Sequence, residues 1–150
     1  MGHPRKKRIY LHASYFTSEV LLRELIKARQ RGVDVRMIIP TKIDSEIVHQ
    51  SNLAAAKKLT HAKAKVYLYP IASHLKALVI DDWACVGSAN MDALSLRIND
   101  ELNIAFSDKK TVDRLVHGLF KKDFKRAKLL DHNDVANWKE SIFAGFADQL

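Results

Sequence analysis

The chain has 150 residues, 47% hydrophobic and 28% charged, with a formal net charge of +8. That length sustains one domain with a real core, and the positive excess favours anionic partners: nucleic acid, anionic lipid headgroups or phosphorylated substrates. The single cysteine, Cys85, excludes an internal disulfide and any cysteine cluster for a metal, and no apolar run approaches the roughly 20 residues that span a bilayer.

Residues 1–7 read as a flexible basic lead. Arg8 to Ser14 reads as a strand. Thr17 or Ser18 can cap a helix, with Glu19 well placed in its first turn. Leu21, Leu22, Leu25, Ile26 and Arg29 keep helical spacing, and Gly32 ends the helix. Val33 to Ile39 is a nearly continuous apolar strand that stops at Pro40. This strand–helix–strand unit implies a crossover and parallel pairing. A second helix is predicted from Ser45 to about Leu59, then a strand from Lys65 to Tyr69.

Ala77-Leu78-Val79-Ile80 and Trp83-Ala84-Cys85-Val86 flank Asp81-Asp82, which reads as a hairpin. Cys85 is expected to be a small core residue. Met91 to Leu96 suits a helical turn. Glu101 to Phe106 is a further strand, with Leu102, Ile104 and Phe106 on one face. Ser107 or Asp108 then caps an amphipathic helix whose apolar positions are Val112, Leu115, Val116, Leu119, Phe120 and Phe124. In the tail, Val135, Trp138, Ile142, Phe143 and Phe146 recur at helical intervals. The expected fold class is α/β, a mixed, mostly parallel sheet with helices on both faces. The expected boundaries are 1–7 for the lead, 8–130 for the domain and 131–150 for a C-terminal amphipathic helix.

The chemistry is concentrated in His74-Leu75-Lys76, Asp81 and Gly87-Ser88-Ala89-Asn90. In a strand, His74 and Lys76 share a face. A phosphodiester suits them. Imidazole attacks phosphorus, the ammonium neutralises a non-bridging oxygen, and Ser88 and Asn90 hydrogen-bond the others. Asp81 lies an odd number of residues from His74, so a continuous strand turns it to the opposite face; a structural role at the turn or in an interchain contact follows. Gly-Ser-x-Asn is also turn chemistry. His12 is expected as packing or pocket wall.

His-x-Lys-x4-Asp followed by Gly-Ser-x-Asn resembles the HKD motif of the phospholipase D superfamily. Tyr15-Phe16, Arg31-Gly32-Val33-Asp34-Val35-Arg36 and Asn99-Asp100-Glu101-Leu102-Asn103 extend the resemblance. Together they look like the second half of bacterial cardiolipin synthase or phosphatidylserine synthase-type enzymes, over roughly residues 8 to 128. Two departures stand out. Asp81 and Gly87 are one residue closer than in many members, and this chain carries one HKD motif where those enzymes carry two.

The resemblance implies a phospholipase D-like fold and phosphodiester transfer or hydrolysis on phospholipids through a phosphohistidine on His74. It assigns phosphate binding to Lys76, Ser88 and Asn90, and support of the imidazole to Glu101. Asp81 and Gly87 complete the motif structurally. No metal or cofactor is expected. An in-line displacement needs an acid across from the nucleophile, so a homodimer or a missing N-terminal half with another HKD motif is the expected partner of the chain. The expected substrate is an anionic phospholipid, at a cytoplasmic location peripheral to the inner membrane. The alternatives are a single-motif endonuclease acting on DNA or RNA, and a non-catalytic half of a two-motif enzyme.

Overall fold

The computed structural model describes residues 7–91 and 100–136. Strand β1 (Arg8–Ala13) sends alternate residues to opposite faces. Ile9, Leu11 and Ala13 join one core cluster and Tyr10 the other. Helix α1 (Glu19–Gln30) is capped by Ser18, whose hydroxyl accepts from the Leu21 amide at 3.3 Å. Gly32 follows with φ +89°, a backbone shape in which glycine carries no penalty. Strand β2 (Asp34–Pro40), helix α2 (Glu46–His61, capped by Ser45) and strand β3 (Lys65–Tyr69) continue the chain.

The hairpin of β4 (Lys76–Ile80) and β5 (Trp83–Gly87) comes next, then edge strand β6 (Asn103–Phe106). Asp108 caps helix α3 (Lys109–Leu115), accepting from the Thr111 amide at 2.9 Å. One π-helical turn, Val116–Phe120, leads into α4 (Lys121–Arg126). A short strand β7 (Lys128–Leu129) and helix α5 (His132–Ala136) follow.

The seven strands lie in the order β6-β5-β4-β1-β2-β3-β7. Helices α1 and α2 cover one face through Leu22, Leu25, Leu53 and Leu59. The α3–α4 segment covers the other through Val112, Val116 and Phe120. The α/β class with helices on both faces is therefore as expected, but the strand balance is not. Only β1–β2 and β2–β3 are parallel; β1–β4, β4–β5, β5–β6 and β3–β7 are antiparallel. The sheet is mixed and mostly antiparallel. Parallel pairing needs a long crossover, and only α1 and α2 provide one. After β3 the chain turns back without a helix, so β4 returns beside β1 in the opposite sense.

Strand β6 starts at Asn103, later than the expected Glu101. Ser88 explains this: its hydroxyl accepts from the Leu102 amide at 3.0 Å, in place of a strand partner. Met91 forms a parallel bridge with Phe16; the rest of the turn expected there lies outside the described residues. So do Trp138, Ile142, Phe143 and Phe146 of the tail.

Candidate active site

Three strand registers assemble one end of the sheet. Ala13 pairs with Lys76, Ala77 with Val86, and Gly87 with Asn103. The start of β4, the end of β5 and the start of β6 therefore meet. Lys76, Gly87 and Asn103 line one hollow of about 220 Å³, whose remaining wall includes Leu21, Leu78 and Trp83. Cys85 also lines it and is half-buried rather than a core residue.

Gly87 is dictated by crowding. A Cβ at this position would overlap the Leu102 carbonyl oxygen and Asn103. Only glycine lets β5 and β6 approach this closely.

His74 is exposed and sits two residues before β4, in a segment outside the strand ladder. Side chains hold that segment instead. Ser14 Oγ donates to the Ser73 carbonyl at 2.6 Å and lies 3.3 Å from the Leu75 carbonyl. Ser14 is itself fixed by Asn52, whose amide nitrogen donates to the Ser14 carbonyl at 2.9 Å while its oxygen accepts from the Phe16 amide at 2.9 Å. Sequence reasoning singled out neither Ser14 nor Asn52. The available signal was Asn52 itself, a polar residue on the apolar stripe of α2 beside Leu53, Ala55, Ala56 and Leu59. A small cavity of about 30 Å³ separates His74 and Ser73 from Tyr15, Lys42 and Asp44.

The half-buried Lys76 turns back on His74: its Nζ donates to the His74 carbonyl at 2.7 Å. Ser88 Oγ donates to Glu101 Oε2, so this hydroxyl is directed at the carboxylate. The Ala89 amide donates to Asn103 Oδ1 at 3.3 Å. Asn90 Oδ1 is buried and has no hydrogen-bond partner among the described residues. The structure thus joins Lys76 to His74 and Ser88 to Glu101.

Asp81 stands at the other end of β4, on the order of 17 Å from Lys76 at the strand rise. It adopts φ +52° in the hairpin turn. Its Oδ1 accepts from the Lys7 amide at 2.6 Å and the Arg8 amide at 3.0 Å. It ties β1 to the hairpin and lies at the strand end opposite Lys76 and Gly87.

Beneath the same sheet end as His74, His12 and Asp123 are both buried, with His12 Nε2 at 3.4 Å from Asp123 Oδ2. Tyr69 OH donates to the other carboxylate oxygen at 3.2 Å. Burial pushes the His12 imidazole below its ordinary value, against the pull of Asp123. Among the described residues, no group of three or more histidine, cysteine or acidic side chains is placed to hold a metal ion.

Residues 4–126 match the family described as cardiolipin synthase, PLD-like domain. The chain is 42% identical over 118 residues to a cardiolipin synthase of Listeria welshimeri, covering 77% of this chain and 24% of the relative. It is 35% identical over 122 residues to the minor cardiolipin synthase ClsB of Bacillus subtilis, covering 80% and 30%. The chain thus spans about a quarter of the length of these curated relatives. Among solved structures, Nuc from Salmonella typhimurium, a phospholipase D family member, matches with a TM-score of 0.72 at 20% identity, over 84% of this chain and 83% of that one.

Proposed function

Since the chain belongs to the cardiolipin synthase, PLD-like domain family, we propose that it carries out phosphodiester transfer or hydrolysis on phospholipids through a phosphohistidine on His74. The observation that carries this reading is the Lys76 ammonium seated 2.7 Å from the His74 carbonyl. A cation fixed on the His74 backbone, two residues from an exposed imidazole, puts a nucleophile and charge stabilisation for a phosphoryl group on one short segment.

A neutral ring nitrogen of His74 attacks phosphorus, forming the P–N bond as the P–O bond to the leaving alcohol breaks. Lys76 compensates charge on a non-bridging oxygen, with Asn90 as a further hydrogen bonder. Ser88 holds the Glu101 carboxylate, which supports the imidazolium. Water attacking the phosphohistidine gives hydrolysis; a lipid hydroxyl gives phosphatidyl transfer. The leaving alkoxide takes its proton from the face opposite His74. A second HKD motif must stand there, from a second copy of this chain or from another half of a longer enzyme. The catalytic unit is assigned to residues 8–130. A phospholipid substrate puts this reaction at a membrane surface, proposed to be on the cytoplasmic side; no helix among the described residues is long and apolar enough to cross a membrane.

The test is turnover of phosphatidylglycerol followed by lipid extraction, with a labelled oligonucleotide in parallel. Release of glycerol, or formation of phosphatidic acid or a diphosphatidyl product, with acid-stable incorporation absent and alkali-stable label on His74, is the expected result. Cleavage of the oligonucleotide alone would replace the lipid reading with a nuclease.

A further inference from the structure

Helix α4 presents a cationic face that the chemistry above does not use. Lys121, Lys122, Lys125 and Arg126 are all exposed. The one acidic residue of this helix, Asp123, is only 6% exposed and points inward to His12 and Tyr69. Among the described residues, Lys122, Lys125 and Arg126 form no ion pair; Lys121 contacts His117 Nε2 at 3.0 Å. The charge is therefore unneutralised and lies on one side of the helix.

The underside is rigid. Phe124 packs edge-on against Tyr10 at 5.3 Å between ring centroids and lies tilted by 33° against Tyr67 at 4.6 Å. The Arg36 guanidinium lies 5.2 Å from the Phe124 ring centroid. These aromatic rings face the sheet. They are not laid out between the cations, where stacking with unpaired bases would need them.

The face is also tied to the His74 end of the sheet. Asp123 bonds Tyr69, the last residue of β3, and meets His12 of β1. Two residues further along, Ser14 pins the segment that carries His74. We infer that the Lys121–Arg126 face is a docking surface for an anionic phospholipid bilayer, and that it sets down the protein with the His74 end of the sheet at the membrane. Surface lysines and arginines near an anionic leaflet each strengthen attachment. This inference rests on the phospholipid reading of the site, and its test separates the two.

The experiment is co-sedimentation of the 150-residue chain with phosphatidylcholine vesicles, with and without phosphatidylglycerol. The triple variant Lys122→Glu, Lys125→Glu, Arg126→Glu is compared with Arg23→Glu, Arg31→Glu, Lys57→Glu, which changes net charge equally at exposed positions on and next to α1 and α2. Circular dichroism verifies that both retain the fold. Hydrolysis of soluble bis(4-nitrophenyl) phosphate is followed in the same preparations. Binding that requires phosphatidylglycerol, falls at least about tenfold in the α4 variant and stays within about twofold in the control supports the face. Equal losses in both variants, no loss in either, or no binding by the wild type overturns it. An oligonucleotide that binds this face more tightly than the vesicles overturns the bilayer as occupant. If selective vesicle loss is seen but no protein hydrolyses the diester, the face stands and the reading in which two copies of this chain complete the phosphodiester chemistry falls.

Discussion

Arg8 and Asp81 grip each other at the closed end of the β4–β5 hairpin. The Asp81 amide donates to the Arg8 carbonyl at 3.1 Å, and the Arg8 amide donates back to Asp81 Oδ1 at 3.0 Å. Arg8 Nη2 also donates to the Asp81 carbonyl, at 3.1 Å. Asp81→Ala removes an acceptor shared with the Lys7 amide and leaves a β-carbon in a left-handed turn. The expected cost is about 1–2 kcal/mol of stability, read from urea denaturation. Turnover well below the melting temperature should stay within about threefold. A loss of 100-fold or more in a folded variant, on the order of a directly engaged group, would place Asp81 in the chemistry after all.

Gly87→Ala meets the neighbouring strand directly, because its methyl would overlap the Leu102 carbonyl and Asn103. Relief requires β6 to move away from β5, which draws Glu101 away from Ser88. Stability should fall by about 1–3 kcal/mol. Turnover should fall further than the unfolded fraction accounts for. Wild-type turnover in this variant would show that the β5–β6 spacing is irrelevant to the site.

The first three strands and the helices between them were legible because their signals are local. Short, nearly continuous apolar runs mark β1 to β3, and Ser18, Ser45 and Asp108 cap helices by bonds reaching three residues along the chain. The β4–β5 hairpin was legible from its Asp81-Asp82 turn, but the place and sense in which it joins the sheet were not. Nothing in residues 70–75 states on which side of the sheet β4 will add, and its place beside β1 comes from long-range packing. The motif drew attention to Lys76 and Ser88, and the structure gives both bonded partners. It did not reveal Ser14 and Asn52, whose bonds span 36 to 61 residues of sequence. The strand parity that paired His74 with Lys76 also began two residues too early, because the paired strand starts at Lys76.

The buried His12–Asp123 pair predicts a pH dependence of stability. Burial lowers the folded-state pKa of His12 from its ordinary value of 6.5, while Asp123 opposes the shift. Between the two values the unfolded chain binds the proton and the folded chain does not. Stability is therefore fully present above about 6.5 and is lost as pH falls toward the folded value. The urea midpoint should drop between about pH 7.5 and about pH 5.5. In His12→Gln the slope over that window should be smaller, although the variant starts from lower stability. Identical slopes would remove His12 as the cause.

Turnover should survive chelation. Lys76 supplies positive charge beside His74, the service a metal ion would otherwise give to a phosphoryl oxygen. Dialysis against EDTA is expected to change kcat by less than about twofold. Complete loss, restored by one divalent ion, would require a metal in the mechanism.

The last prediction concerns the number of histidines in one reaction. His74→Ala should lower turnover by on the order of 10³-fold or more. It should leave the melting temperature nearly unchanged, because the side chain is exposed and lies outside the strand ladder. Glu101→Gln should cost less, since it leaves the nucleophile and weakens only the support of its charged form. If two copies of this chain share one reaction centre, each centre draws on both copies of His74, one as nucleophile and one as acid. Mixing equal amounts of wild type and His74→Ala under subunit exchange then leaves about a quarter of the pairs intact. Activity should follow the square of the wild-type fraction. A linear fall, to about half, would mean that a single motif completes the displacement and that the leaving alcohol takes its proton from elsewhere. Native mass spectrometry of the same mixture verifies that exchange has occurred, so linearity cannot be blamed on unmixed dimers.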